Sequence, residues 1–476
     1  MSQIPELLSE ATVTINGKEA PAGGTFDVIN PATERVLAAA PAVSPEQLDA
    51  AVSVAHEAYA GWRQDIDARR AGLLAMADVL DANAAQFGAL LTAEQGKPLG
   101  DAAGEVMGAS YWLRYYATLD LPVEVVQDDE RGFAEIHRKP LGVVAAITPW
   151  NFPLMLVVTK LAPALLAGNT AVVKPSPYTP LATLALGALL RGVLPDGVLN
   201  VISGPDPLGV ALTAHPLVRK ISFTGSTATG KKVAASAAGD LKRLTLELGG
   251  NDPAIVLPGT DIGQFALGLF GGAFLNNGQT CAAIKRVYAH ESQYDDVVAA
   301  LASVARQVKV GEGHEEGVQY GPLNNRPQLE RVASLVTDAV QHGARVAAGG
   351  RRPDRDGYFY QPTILAGVSD GTAVVDEEQF GPALPVISYR TVPDALERAN
   401  RGHFGLTASV WADDPAEAAR VAADIDAGQV SVNAHASGGR PDLPFGGHKW
   451  SGIGVENGRE GLYGFTETQV ITGPRR

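Results

Sequence analysis

LGVVAAITPWNFPLMLVVTKLAPALLAGNTAVVKPSPYTP, residues 141–180, contains the pattern on which the fold turns. Val143–Ile147 and Thr170–Val173 are short and almost wholly apolar. A strand with one face in water alternates apolar and polar side chains, so these runs must be covered on both faces. Moving outward, Leu199–Ile202 and Lys220–Phe223 repeat the texture, and Thr179–Val193 and Ser226–Ala238 carry helical periodicity. Doubly covered strands alternating with helices predict a parallel, doubly wound α/β sheet, whose ligands sit beyond the C-terminal ends of its strands. A second cycle follows, with Asp252–Leu257, Arg286–His290 and Pro385–Tyr389 as strands and Tyr294–Lys309 and Arg326–His342 as helices. The chain therefore holds two α/β units.

The first quarter reads differently. Residues 12–29 alternate around Asn16-Gly17, a tight-turn dipeptide, and predict an edge hairpin. Ser44-Pro45-Glu46-Gln47 supplies an N-cap, a first-turn proline and a Gln that reaches back, so a helix starts there and runs to Trp62. Residues 66–118 continue in helical periodicity, with Gly96-Lys97-Pro98 as the main interruption.

At 476 residues the chain has room for two to four domains of about 150 residues. Hydrophobic residues at 46% against 19% charged fit a folded globular protein. The net charge of −14, without a Lys/Arg cluster, argues against a nucleic-acid partner. Pro149, Pro153, Lys160 and Pro163 break the most apolar stretch, so no membrane span is expected, and the start MSQIPELLSE lacks an export signal. A single cysteine, Cys281, excludes an internal disulfide and fits a cytoplasmic, reducing location. One cysteine and nine scattered histidines also make no metal site.

Four segments can carry chemistry, and each has a structural alternative when taken alone. Cys281 lies in the small, polar run Asn276–Ala282 after a predicted helix Phe265–Leu275; it is either a nucleophile or a packed cysteine. Phe223–Lys232 follows a strand and opens a helix. Its Gly225-x-x-x-x-Gly230-Lys231 nearly matches a P-loop, but Lys232 stands where Ser or Thr would hold magnesium, which leaves a dinucleotide pyrophosphate or a plain turn. Glu247, between two leucines, is a general base raised by apolar surroundings or an exposed strand carboxylate. Asn151 is an oxyanion donor or the head of an Asx turn fixed by two prolines.

Together TPWNFP at 148–153, KPSPYTP at 174–180, FTGST at 223–227, LELGG at 246–250, GQTC at 278–281, EEQFGP at 377–382 and PFGGHKWSGIG at 444–454 resemble the aldehyde dehydrogenase superfamily, in order and spacing over essentially the whole chain. The resemblance implies Cys281 as nucleophile, Glu247 as base, Asn151 with the Cys281 N–H as oxyanion hole, and Lys160 as a supporting lysine. It implies Trp150, Lys174, Ser176 and Pro177 on the adenosine side of a nicotinamide cofactor. Gly225 and Ser226 fall at its pyrophosphate turn, Glu378 and Phe380 at the nicotinamide ribose, and Leu248 among its other contacts. Phe152, Thr159, Thr280 and Phe445 fall on the tunnel for a small-molecule aldehyde. Because Glu247 is present, hydrolysis of a Cys281 thioester is implied, not transfer to coenzyme A.

The resemblance further implies a Rossmann-like cofactor domain in residues 1–122 and 141–248 and a catalytic domain in 249–450. An oligomerisation hairpin at 123–140 joins a C-terminal tail in 451–476, giving a homodimer or homotetramer. Leu121–Gln127 and Gly132–Arg138 suit the hairpin strands. Two positions depart from the pattern. Pro177 stands where the family commonly has a glutamate that grips the adenine-ribose hydroxyls, so NAD is expected with weakened discrimination and NADP as the alternative. The loop Asn433–Leu443, at the expected tunnel mouth, carries His435 and Arg440, the latter expected to face solvent, and Thr159 replaces a common large aromatic. The rival readings are an NADP-preferring semialdehyde dehydrogenase, a cofactor-independent thiol esterase and a non-catalytic relative.

Overall fold

A computed structural model of the chain describes residues 6–436 and 439–475. Its first sheet has eight strands in the spatial order Lys18–Ala20, Val13–Ile15, Leu199–Val201, Thr170–Lys174, Val143–Ile147, Val218–Thr224, Arg243–Glu247 and Gly452–Ile453. The middle five are parallel and the flanking pairs antiparallel. Every residue of Val143–Ile147 and Thr170–Lys174 is buried, as their doubly apolar reading requires. Val143–Ile147 is the first of the five in chain order, yet it lies between the second and the fourth. Growth of the sheet reverses there, which opens a crevice at the strands' C-terminal ends.

The second sheet runs Arg345–Ala348, Thr363–Ala366, Ala383–Tyr389, Ile284–His290, Asp252–Val256, Thr407–Trp411 and Gln429–Val432. All neighbours are parallel except the first pair. Alternate residues of one strand feed opposite cores: Ile255 packs with Leu335 and Ala408, whereas Ala254 and Val256 pack with Leu269 and Trp411. A third sheet joins Glu124–Asp129, Gly132–Pro140 and Thr466–Gly473, so the C-terminal strand does return to the hairpin.

Local signals held where they were specific. The capping box forms, with Ser44 Oγ accepting from Gln47 N (3.3 Å) and Gln47 Oε1 accepting from Ser44 N (2.9 Å). The helical stretch 66–118 is three helices, Ile66–Ala82, Ala84–Gln95 and Leu99–Ala117. Asn83 breaks the first junction by turning its amide back onto the Val79 carbonyl (2.8 Å), and Gly96 breaks the second at φ +103°. The helix expected over 179–193 spans Leu181–Leu189 and is stopped near the left-handed Gly192. The first hairpin strand begins at Glu124 and not Leu121, because Pro122 has no N–H to give the ladder. Among the described residues no helix is long and apolar enough to cross a membrane, and no group of side chains could hold a metal ion.

Candidate active site

Helix Ile262–Phe274 delivers the chain to Cys281 through a sharp turn. Asn276, Asn277 and Gly278 all take left-handed backbone conformations, with φ of +50°, +57° and +75°. Asn and Gly are the residues that do so at least strain. At Gly278 a Cβ would also lie 2.4 Å from the Gly381 carbonyl oxygen. Lys285, fully buried, pins the turn by donating to the carbonyls of Thr280 (2.6 Å) and Gly278 (3.2 Å). Cys281 itself is half-buried, so it keeps access to solvent. Desolvation first, then the nearby carboxylates of Glu247, Glu378 and Asp252, push its thiol up to about 12, with Lys285 opposing.

Asn151 follows strand Val143–Ile147 at the switch point. Its Nδ2 donates to the Gln279 carbonyl (2.9 Å), which aims the amide at the turn before Cys281 and leaves its second hydrogen free of that bond. The Asn151 carbonyl accepts from Lys97 Nζ (2.9 Å) and Asn276 Nδ2 (3.0 Å). Lys97 is in turn ion-paired with buried Glu105, whose Oε1 accepts from the N–H groups of Leu154 and Met155. In the sequence Lys97 marks only part of a helix break. No local signal shows that its ammonium is buried under this loop.

Glu247 ends strand Arg243–Glu247, is 3% exposed, and neither of its carboxylate oxygens has a hydrogen-bond partner among the described residues. The exposed-strand alternative is therefore wrong. Burial drives its pKa well above the usual carboxylate range; Glu456 raises it further and Lys160 opposes. Lys160 donates to Glu456 Oε1 and Thr224 Oγ1, both at 2.6 Å. Glu456 lies more than two hundred residues from Glu247 in sequence and arrives with the antiparallel edge Gly452–Ile453, so sequence patterns gave no hint of it. Two glycines permit the assembly. A Cβ on Gly250 would stand 2.6 Å from the Cys281 carbonyl oxygen, and one on Gly249 would stand 2.4 Å from Glu378 Oε2. Glu378 Oε1 accepts from Gly250 N (3.1 Å), and desolvation pushes Glu378 up to about 7.

A cleft of about 570 Å³ opens beyond the strand ends and is lined by Trp150, Ser176, Pro177, Tyr178 and Asp206, among others. Lys174 lies buried at the end of its strand, and desolvation brings it down to about 8. Gly225 and Ser226 form the turn into helix Thr227–Ala238, where Ser226 Oγ accepts from Thr229 N (3.2 Å). Gly230 fits against Leu248, since a Cβ there would meet Leu248 Cδ2 at 2.4 Å. Lys231, the would-be P-loop lysine, lies over the Trp450 ring (3.3 Å). Trp150 meets Phe380 edge to face at 5.3 Å, joining the cleft to the Glu378 segment.

The family model for the aldehyde dehydrogenase family matches residues 19–471. The chain belongs to the aldehyde dehydrogenase family. It is 39% identical to a phenylacetaldehyde dehydrogenase of Pseudomonas fluorescens over 464 residues, covering 94% of this chain and 92% of that one. Its fold is similar to the NAD+ complex of an aldehyde dehydrogenase from Bacillus cereus, with TM-score 0.95, 36% identity, and coverage of 98% and 96% of the two chains. It is also similar to an E. coli NADP-dependent enzyme, with TM-score 0.94, 35% identity and 98% coverage of each chain. The mixed α/β architecture inferred from the doubly apolar strands is thus that of aldehyde dehydrogenases.

Around the enzyme's centre, the Lys97 ammonium lies over the Phe152 ring (3.9 Å), Thr159 is buried about one helical turn beyond Met155, and Thr280 Oγ1 donates to the Leu275 carbonyl (3.1 Å). Phe445 exchanges backbone hydrogen bonds with Glu456 (2.8 and 2.7 Å), which ties this candidate tunnel wall to the Lys160 pair. The loop Asn433–Leu443 divides in character. His435 is buried and bonded to Ser409 and Thr407, whereas Arg440 is exposed and paired with Asp442, as its solvent-facing reading expects. Ser437 and Gly438, between them, lie outside the described residues.

Proposed function

We propose that the enzyme oxidises an aldehyde to its carboxylic acid through a thioester on Cys281, with NAD as cofactor and NADP as the alternative. The observation that carries this reading is a buried carboxylate with two unbonded oxygens, Glu247, beside a half-open thiol. A structural carboxylate at that depth would be paired or bonded. The residues of the cleft suit the cofactor: Trp150, Lys174, Ser176 and Pro177 would hold its adenosine side, Gly225 and Ser226 its pyrophosphate, and Glu378 and Phe380 its second ribose, with Leu248 a further contact. When bound it supplies the hydride acceptor.

The chain's own residues do the rest. Cys281 Sγ bonds to the aldehyde carbon and its proton is lost to water, while the carbonyl oxygen becomes an alkoxide. Asn151 Nδ2 and the Cys281 N–H donate to that oxygen, and Lys160 with Glu456 holds the surrounding charge. Loss of hydride from the carbon leaves a thioester. Glu247 then takes a proton from water, the water oxygen attacks the thioester carbon, and the C–S bond breaks to release acid and thiol. A panel of aliphatic, aromatic and acidic aldehydes with each cofactor, followed by the absorbance of reduced nicotinamide, tests the reading. Ester hydrolysis that needs no cofactor, with no aldehyde oxidised, would favour the thiol esterase instead.

Two variants probe the parts. Asn151→Ala should lower the hydride-forming rate by about 10²–10³-fold, the loss of one oxyanion donor, with a smaller change in KM. An unchanged pre-steady-state rate removes Asn151 from the hole. Glu456→Gln deletes a charge that raises Glu247 and leaves Lys160 free to lower it, so both effects have the same sign. Glu247 works as the carboxylate, so deacylation rises with pH through its titration, and in Glu456→Gln this limb should move to lower pH. A limb that stays or moves up contradicts the assignment.

The third sheet supports a homodimer or dimer of dimers. Strand Glu124–Asp129 has an unpaired edge, and Val125, Val126, Val470 and Ile471 are exposed on this sheet. Sedimentation should give two or four times the 49.6 kDa chain mass. Sedimentation at one chain mass rejects it.

A further inference from the structure

The cofactor cleft that Pro177 lines also contains an acid that no other described residue uses. Strands Thr170–Lys174 and Leu199–Val201 are parallel neighbours, with Val173 beside Val201. Their chains leave the sheet at the same end, one into Lys174-Pro175-Ser176-Pro177, the other into Ser203-Gly204-Pro205-Asp206. Asp206 opens helix Asp206–Ala214, whose first turn packs on Lys174; a Cβ on Gly209 would stand 3.7 Å from Lys174 Cδ and Cε. Asp206 is exposed and lines the cleft together with Pro177 and Trp150. It makes no hydrogen bond or ion pair with any described residue, and it does not cap its own helix.

The two cations near Asp206 are accounted for. Arg326 lines the cleft but is ion-paired with Glu34. Lys174 is buried, and among the described residues its ammonium hydrogen-bonds only the Pro175 carbonyl (3.3 Å); Asp206 is the acid whose charge it feels. Asp27, a further acid in the lining, belongs to strand Gly24–Asn30 outside the sheet. A free carboxylate beyond the strand ends accepts hydrogen bonds from a vicinal diol and repels a phosphate placed on one of its oxygens.

We propose that Asp206 receives the adenosine-ribose hydroxyls of the cofactor and sets the enzyme's preference against a 2′-phosphate, the task that Pro177 cannot perform. This rests on the reading of the cleft as the cofactor site. It also revises the expectation drawn from Pro177 alone, since a carboxylate is restored to the cleft from the neighbouring strand.

The test needs no turnover. ADP-ribose and its 2′-phosphorylated form, which lack nicotinamide, are titrated calorimetrically against the full-length wild type, Asp206→Asn, and Asp206→Asn combined with Pro177→Glu. Wild type should bind ADP-ribose at least about tenfold more tightly than the 2′-phosphate, and added salt should narrow the gap. Asp206→Asn should weaken ADP-ribose and strengthen the 2′-phosphate, collapsing the ratio by about tenfold or more, the scale of one charge-assisted hydrogen bond. Pro177→Glu in that background should restore it from the neighbouring strand's loop. If wild type and Asp206→Asn bind ADP-ribose with the same selectivity, the role of Asp206 is overturned while the cofactor cleft stands. If wild type binds neither fragment, the cleft assignment itself falls.

Discussion

Cys281→Ala should abolish aldehyde oxidation, by a factor on the order of 10⁶, while the protein still folds and still binds the cofactor. The size follows from the mechanism, because without sulfur there is no atom to hold the carbonyl carbon while hydride leaves. Folding should survive because the thiol is half-buried and anchors nothing. The turn that presents it is held by Lys285, Asn151 and the left-handed Asn276–Gly278 backbone, all of which remain. Steady-state rates, a thermal melt and cofactor titration together give the result. Oxidation persisting near the wild-type rate would mean that no covalent intermediate forms on this residue.

Glu247→Gln should separate the two half-reactions. Gln has the same shape, and the carboxylate oxygens it replaces have no partners, so no hydrogen bond is lost. Hydride loss needs no water, so a burst of reduced cofactor of about one per site should remain. Hydrolysis needs the base, and turnover after the burst should fall by about 10²–10⁴-fold. The substitution also removes the carboxylate that most raises the Cys281 thiol, after desolvation. Alkylation of Cys281 should therefore begin at lower pH in the variant than in wild type. Absence of the burst would move Glu247 to an earlier step, in activation of the thiol.

What the sequence shows and hides follows the range of each interaction. Val143–Ile147 reads as a buried parallel strand because burial on both faces leaves its mark on every residue. Ser44 and Gln47 announce their helix because a capping box closes within four residues. Asn151, Glu247 and Cys281 are legible only through the joint order of motifs, since each alone has a structural alternative. Glu456 and Lys97 were invisible for a physical reason. Their meaning lies in partners, Lys160 and Glu105 with the Asn151 carbonyl, that only the folded chain brings to them. Thr363–Ala366 and Gln429–Val432 are four-residue strands, too short for periodicity to mark, and pairing with longer neighbours makes them strands at all.

If oxidation passes through an acyl group on Cys281, that group can be trapped and weighed. Glu247→Gln enzyme is mixed with NAD and an aldehyde, quenched in acid after the burst, and digested. The mass of the peptide containing Cys281 is read alongside the absorbance of reduced nicotinamide. One acyl group is expected on Cys281 for each cofactor reduced, the added mass being that of the aldehyde less two hydrogens. Reduced cofactor with Cys281 unmodified at every quench time, or acylation of Cys281 with no cofactor reduced, would contradict it.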